Sequence, residues 1–545
     1  MSTHSIHARR PKGATGLSSE STAESLAESL IDRQPDVLLA HSEDAAHYSG
    51  GHADGVARPR TEQEIAHLLT HASRVLPVGA QSSVTGGATP DGGLVLSTSR
   101  LVSIQESGQH HFRVGSGVPL STLQELLHST GRWYAPSPTY TGAFAGGVVA
   151  TNAAGAATFK YGTTRQWTDG LTVVLACGHV LEITRGQCVA NPVRGFEIMC
   201  DCGRRTIHPG TYVMPAVAKC SAGYFASPEM DLVDLFVGAE GTLGVVTEVL
   251  FRVLAEPPAV AWALVPVRSE SDAIALVDAL RRASQETWRT NDPIGVDASA
   301  IEHVDRRCLE LLREDGVDRK QDITIPADAE VMLLVQLELP RDTTPEVAFE
   351  QVSEALSDAT DGALVRFCRV LAAHGALDDT EMAWPGDHRR IDQFLAFRES
   401  APAGVNRRVG DAKRDHDDRI EKTAADMIVP FEHFGTMLAI YREGYRARGL
   451  DFAIWGHISD GNVHPNVIPR SFDDVVAGRE AILEFGREVA RLSGCPLAEH
   501  GVGRSSVKQA LLRQLYGDDG LNQMRAVKSA LDPRGVLAPG VLFPA

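Results

Sequence analysis

Cysteine is scarce in this chain of 545 residues: there are eight, placed singly or as Cys200-Asp-Cys202, and never as Cys-x-x-Cys. That spacing supports neither a zinc ribbon nor an iron–sulfur cluster, and its sparseness suits a reducing compartment. No uninterrupted apolar run is long enough to span a bilayer. The expected location is cytoplasmic, with peripheral membrane association left open. Positive charge is outnumbered, 52 Lys and Arg against 70 Asp and Glu, for a formal net charge of −18. Such a chain is a poor ligand for nucleic acid phosphates. It also repels small anions at long range, so an acidic substrate would need local arginine or lysine. There is no low-complexity tract, no short repeat, no Gly-x-Gly-x-x-Gly and no P-loop lysine. Acids are missing from the first 19 residues, which carry Arg9, Arg10 and Lys12, but Pro11, Gly13 and Gly16 break any amphipathic targeting helix. A disordered stretch over 1–20 is expected.

The length calls for two or three domains. From Thr61 the grammar is helix, strand, glycine-rich turn, strand. "TEQEIAHLLTHA" opens with Thr61 and Glu64 in capping-box spacing, and "STLQELLHSTG" repeats it with Ser121 as cap, Gln124 three on and Gly131 as stop. "LTVVLACGHVLEI" reads as paired strands broken at Cys177-Gly178-His179. A new grammar starts near Pro257: strand "AVAWALVPV", helix "SESDAIALVDALRRASQE", strand "EVMLLVQLEL", then helix "DTTPEVAFEQVSEALSDATDG" before "LVRFCRV". This alternation suggests an antiparallel sheet with helices on one face. Residues 372–430, rich in Arg and Asp, resist assignment.

Three stretches are built of small residues: "PVGAQSSVTGGATP" (77–90), "PSPTYTGAFAGGVVATNAAGAATFKYGTTRQW" (136–167) and "VGAEGTLGVVTEV" (237–249). Small residues let successive backbone N–H groups point into one concavity, which is an anion nest. Separated by strands, the three can line one groove long enough for a dinucleotide. In this order they resemble the FAD-binding domain (PCMH-type) of the vanillyl-alcohol-oxidase-type flavoproteins, over about residues 55–255. The resemblance implies that Gly79, Ala80, Gln81, Ser82, Ser83, Thr85, Gly86 and Gly87 cradle the pyrophosphate. It places Thr141, Gly142, Gly146, Asn152, Gly155, Tyr161, Gly162 and Thr163 along the ribityl chain and ring, and Glu240, Gly244 and Val246 on the adenine side. No histidine lies in 77–90, so the FAD is expected to be non-covalent. An insertion at about 186–216 displaces "KCSAGY" (219–224).

"WGHISDGNVHPN" (455–466) sets two histidines seven positions apart around a Ser-Asp-Gly-Asn turn. On a continuous strand they would face opposite ways. A hairpin at Asp460-Gly461 can bring both imidazoles to one point. With "AEHGVGR" (498–504) and "LDPRGVLAPGVLF" (531–543), this hairpin resembles the C-terminal domain of FAD-linked oxidases, the group of D-lactate dehydrogenase, glycolate oxidase and D-2-hydroxyglutarate dehydrogenase. The resemblance implies a divalent metal, zinc by preference, on His457, His464 and Glu499, with His500 as catalytic base. Ser459 stands where the motif has glycine, and Ala538 where it has asparagine. Oxidising a 2-hydroxy acid suits that set: a hydroxyl is a weak acid, and a Lewis acid on its oxygen and a nearby base both help. "FLAFRES" and "EKTAADMIVPFEHF" resemble segments in which Arg398 and Lys422 hold the substrate carboxylate, and Asn466 would donate to substrate oxygens.

The expectation is therefore an α+β chain: a two-part FAD-binding domain (21–255), a substrate domain (256–495) with an antiparallel sheet covered by helices, and a segment (496–545) that returns to the flavin. Its reaction would be FAD-dependent oxidation of a D-2-hydroxy acid such as D-lactate, glycolate or D-2-hydroxyglutarate to the 2-oxo acid. Electrons would leave to a quinone, a cytochrome, another flavoprotein or oxygen. A homodimer is one open assembly. Two other readings stay open: a flavin enzyme of the ether-lipid synthase branch, and a non-catalytic flavin electron-transfer subunit.

Overall fold

A computed structural model describes residues 3–12, 28–136, 138, 140–355 and 360–544. Short positions 137 and 139, inside the second small-residue stretch, lie outside the described residues, as does most of the N-terminal stretch. The part of that stretch that is described does not follow the expectation of disorder. Ser5–His7 is a strand, paired in parallel with Phe196–Cys200, and Ile6 is buried. The insertion supplies its partner: Phe196–Cys200 and Gly203–Ile207 form a hairpin that completes a three-stranded sheet.

Among the described residues the first half holds three more sheets, of which the smallest pairs Leu254–Ala255 with Arg132–Trp133. Of the remaining two, one is four-stranded, in the order Ile31–Asp32, Gly55–Ala57, Leu94–Ser97, Val75–Val78, with its first pairing antiparallel and the other two parallel. The other is five-stranded and antiparallel: Val180–Thr184, Thr168–Val174, Val245–Arg252, His111–Gly115, Ile104–Glu106. The Thr168–Thr184 pair is a hairpin that turns at Cys177-Gly178, as its pattern suggests, with Gly178 at φ +81°. Thr61 caps Glu62–His71 by accepting from Glu64 N. Ser121 is not a cap. The helix Leu120–Ser129 begins earlier, after Pro119, because Leu120 is buried, and Ser121 N donates instead to Thr141 O. Gln124 is diverted to both main-chain groups of Tyr134.

The second half is organised by a seven-stranded antiparallel sheet in the order Glu381–Ala383, Ala259–Val267, Val331–Leu339, Ala298–Asp305, Phe452–His457, Asn462–Val467, Met427–Ile428. Helices cover both faces, not one. Ala263, Val265 and Leu333 pack with Ala273, Leu276 and Leu280 of Glu270–Thr290. Their strand neighbours Leu264, Met332 and Leu334 pack with Leu309 and Leu312 of Arg306–Glu314 and with Phe394 and Phe397 of His388–Asp415. Every residue of Ala298–Asp305 is buried, as a strand covered on both sides must be. "LVRFCRV" continues as the helix Ala363–Ala373, since Leu364, Phe367, Cys368 and Leu371 fall on one helical face. The unassigned 372–430 region contains the long helix His388–Asp415, in which Arg408 pairs with Asp315 and Arg390 with Glu381, while Arg398 is buried. The C-terminal segment returns to the first half: Ala538 N donates to Val75 O, and Val75 N to Val536 O. Among the described residues, no helix is long and apolar enough to cross a membrane.

Candidate functional site

Between the strand Val75–Val78, the helix Ala145–Ala150 and the turn at Ala239–Gly244 lies a groove walled mostly by main chain. Among the described residues, the N–H groups of Ala80 to Val84 donate to no main-chain carbonyl. Gln81 is held at φ +55°, the left-handed conformation that turns successive amides inward. A Cβ at Gly147 would meet nothing within 4 Å, so it would project into the open groove. Unspent amides at one end and a wall of alanine and glycine at the other fit a pyrophosphate and a flat ring.

Of the residues expected to bind FAD, Gly79, Ala80, Gln81, Ser82, Ser83, Gly87, Gly146, Glu240, Gly244 and Val246 line this groove. The others are engaged elsewhere. Gly86 N donates to Asp44, and Thr85 O accepts from Arg504 N and Ser505 N. Thr141 and Gly142 sit in a turn beside Tyr140. Asn152 Oδ1 accepts from Arg165 N, Gly155 N donates to Thr158 Oγ1, and Thr163, with Gly162 before it, caps Thr164–Trp167. Tyr161 points to the second half, where its hydroxyl donates to Glu338. Glu240 accepts with both oxygens from N–H groups of the C-terminal loop, Val502 and Gly503, at 2.8 Å. Burial pushes its carboxyl up to about 7.

A second cavity, on the side of the substrate sheet, shares Val84, Glu499 and His500 with the groove. The two hairpin histidines converge behind that shared wall, for a reason of register. His457 lies directly opposite Asn462, and His464 lies opposite Trp455. Asn462 and His464 are two apart on one strand, so both histidines share a face as diagonal neighbours. The loop that allows this is a short 3-10 turn, Ile458–Asp460, closed by Gly461 at φ +87°. Ser459 strengthens that turn, since its hydroxyl accepts from Ile301 N.

His457 Nε2 and His464 Nε2 lie 3.4 and 3.2 Å from Glu499 Oε1. The three donor atoms lie within 4.8 Å of one another. Each imidazole turns its other nitrogen to a carboxylate: His457 Nδ1 bonds Glu302, its cross-strand partner, and His464 Nδ1 faces Asp426 at 3.5 Å. Carboxylates behind histidines are the outer shell of a metal centre, and a His₂Glu set suits a first-row divalent ion. Burial lowers His464 to about 4, so it is neutral and can offer a lone pair. Burial would lower His457 too, but Glu302 and Glu499 together outweigh it and raise the ring to about 9. A second grouping, Asp426, His464 and His500, is equally compact. There, however, Asp426 already accepts from the amides of Glu499 and His500 and from Asn462 Nδ2.

His500 is the half-buried member. Its Nδ1 lies 3.1 Å from Asp426 Oδ2, and its Nε2 is 3.6 Å from Glu499 Oε1. Asp426 thereby fixes the ring and leaves Nε2 to face the cavities. Burial alone would raise the Asp426 carboxyl, yet His500 and Lys508 hold it well below the usual carboxylate range.

Arg398 borders the second cavity and turns one N–H of each of its three nitrogens to carboxylates of the protein. Nε and Nη2 bond Glu302 Oε2 at 2.8 and 2.6 Å, and Nη1 bonds Glu399 at 2.7 Å. Asn466 borders it too; one N–H of its Nδ2 donates to His464 O, and its Oδ1 is buried without a partner. Two lysines also line this cavity. Among the described residues Lys422 makes no ion pair, and burial lowers its ammonium to about 8. Lys508 Nζ is buried without a hydrogen-bond partner, 3.7 Å from Asp426.

Sequence reasoning missed Lys508, Asp426 and Glu302, together with Lys219, whose ammonium is buried between Glu499 (2.8 Å) and Asp460 (3.0 Å). "KCSAGY" and "AADMIVP" carried Lys219 and Asp426 in plain view. Nothing in either stretch says which buried charge it will neutralise.

Residues 266–542 match the family described as FAD linked oxidases, C-terminal domain, and residues 53–184 match the FAD binding domain. The chain is 27% identical to glycolate oxidase subunit GlcD of Bacillus subtilis, over 93% of this chain and 92% of that protein. It is 25% identical to a D-lactate dehydrogenase of Archaeoglobus fulgidus (89% and 90% covered) and 26% identical to the mitochondrial D-2-hydroxyglutarate dehydrogenase of Bos taurus (91% and 77%). Among solved structures it is similar to 4-ethylphenol oxidase from Gulosibacter chungangensis, with a TM-score of 0.62, 14% identity and coverage of 98% and 99%. It is also similar to alkyldihydroxyacetonephosphate synthase, with a TM-score of 0.58, 14% identity and coverage of 98% and 87%. At that identity these two likenesses speak for the fold alone.

Proposed function

Because the chain belongs to the FAD-linked oxidases and is an FAD-dependent oxidoreductase of the 2-hydroxy acid dehydrogenase and oxidase type, we propose that it oxidises a small D-2-hydroxy acid to the 2-oxo acid, with His500 as base and a divalent metal, zinc by preference, on His457, His464 and Glu499. One observation carries the reading: Glu499 and His500 stand on the wall shared by the groove and the acid-side cavity. A substrate in that cavity would meet the base and the metal ligands on one side and the flavin groove on the other.

The oxidation removes a proton from the hydroxyl and a hydride from Cα. FAD, held without a covalent link, supplies the two-electron acceptor, and the metal, when bound, makes the hydroxyl more acidic. The remaining work belongs to the chain. His500 Nε2 takes the hydroxyl proton, while Asp426 on Nδ1 keeps the free lone pair on Nε2 and stabilises the imidazolium that forms. Lys219 neutralises Glu499 and Asp460, so that a buried carboxylate can stay ionised beside the histidines. Lys422 and Lys508 collect the substrate carboxylate. Arg398 acts at one remove, as a positioning residue that holds Glu302 and through it the His457 ring.

Anaerobic mixing with a panel of D- and L-2-hydroxy acids tests this. A D-acid is expected to bleach the flavin absorbance; a protein that stays oxidised with every acid of the panel would refute the reading.

A further inference from the structure

The cysteines that look unconnected along the chain meet in space. Cys177 and His179 lie on the turn of the Thr168–Thr184 hairpin, and Cys200 and Cys202 on the turn of the Phe196–Ile207 hairpin. The two turns oppose each other, and one ligand atom from each of the four side chains lies within 4.8 Å of all the others. None of the four lines the groove or the acid-side cavity. We propose that Cys177, His179, Cys200 and Cys202 form a second metal site, a closed Cys₃His centre for zinc.

Three features support a metal over a chance gathering of thiols. The first is an orphaned donor: His179 Nδ1 is buried and has no hydrogen-bond partner, while Nε2 faces Asp201 at 3.9 Å. A ring with one nitrogen towards a carboxylate and the other unsatisfied is arranged as a metal ligand. The second is charge. Three thiols would release three protons on binding, and three thiolates with one neutral imidazole around Zn²⁺ leave a net −1. Arg205 stands beside that charge, with Nη2 at 3.7 Å from Cys202 Sγ. The third is architecture. The small sheet that carries Cys200 and Cys202 is tied to the FAD domain by few strands: Ser5–His7 joins it, and Arg9 pairs with Val180. Four ligands drawn from both hairpins would add a direct link between the two turns, at the end of a sheet whose Phe196, Ile198 and Ile207 already pack into the main core. Tetrahedral Cys₃His coordination leaves no open position, so the site would be structural.

The test uses the full FAD-loaded chain, produced with zinc and purified without chelator. The zinc absorption-edge spectrum is expected to contain a sulfur shell at ~2.3 Å, which the His₂Glu site cannot supply. The double variant Cys200→Ser, Cys202→Ser is expected to lose that shell and one zinc per chain, and Cys202→His to keep the zinc. His464→Ala is expected to keep the sulfur shell, so the two sites are read apart. Absence of a sulfur shell from the wild-type protein would overturn the proposal, whether or not the double variant folds. So would a disulfide mapped to Cys177, Cys200 or Cys202 after denaturation without reductant, since that would stand in place of the metal; a bond between Cys220 and Cys495, whose sulfurs lie 3.4 Å apart elsewhere in the fold, would not bear on the site.

Discussion

The groove and the polar cluster share a wall and are built in opposite ways. The groove is lined largely by glycine, alanine and other small residues, with Tyr140, Phe144 and Phe236 among its few aromatics. Its polarity is the unspent amides of Ala80 to Val84, and it needs no charge of its own. The cluster is made of charges removed from water. Glu302, Asp426, Asp460 and Glu499 are answered by Arg398, His457, His500, Lys219 and Lys508, each drawn from a different segment. A buried carboxylate without its cation costs several kcal/mol, so such a network holds only when complete. A groove of amides tolerates changes one at a time. The cluster does not, and its failures should be local to chemistry while flavin binding continues.

The sharpest way to break that comparison is His464→Ala. It is expected to abolish both bound metal and turnover while the protein stays yellow, checked by metal analysis beside the flavin spectrum. Loss of FAD together with the metal would mean that the two regions are one unit. Next comes His500→Ala, which should keep metal and FAD yet slow flavin reduction by ~10²–10⁴-fold in stopped flow, the usual contribution of a positioned base. Lys508→Met removes a charge-assisted contact worth ~1.5–3 kcal/mol, so kcat/KM should fall about tenfold or more, chiefly through KM. Arg398→Lys should act differently, lowering kcat more than it raises KM, because it loosens Glu302 and His457; a change in KM alone would return Arg398 to direct carboxylate binding. The smallest effect is on pH. Lys422 carries its charge below about 8 and loses it above, so KM for an anionic acid should rise as pH passes that value. The rise should vanish in Lys422→Met.

Much of the groove was legible. Gly79 to Ser83, Gly146 and Gly244 could be named because a nest is written in consecutive small residues. The hairpin was legible for the same reason: Asp460-Gly461 encodes the turn, and strand alternation then decides which way His457 and His464 face. Less was legible at Arg398. Its motif suggested a carboxylate clamp, and the segment does reach the cavity, but the guanidinium met Glu302 first. That pairing follows from the register of Ala298–Asp305 against Phe452–His457, which no local pattern encodes. Tyr161, Asn152 and Thr163 lie in the right stretch and are engaged elsewhere, because a run of small residues says that backbone is close without saying which side chains face inward.

What the sequence by itself determined is whatever depends on neighbours along the chain: the glycine nests, the turns and caps, the facing of two histidines across one hairpin, and the Glu499-His500 pair. These rest on φ preferences and periodicity, which act over a few residues. Only the tertiary structure decided which buried charges compensate one another, and that Cys177 and His179 meet Cys200 and Cys202. Spacing along the chain argued against a cysteine metal site; two opposed hairpin turns create one candidate, because coordination depends on distance in space, and distance in space is set by how sheets pack.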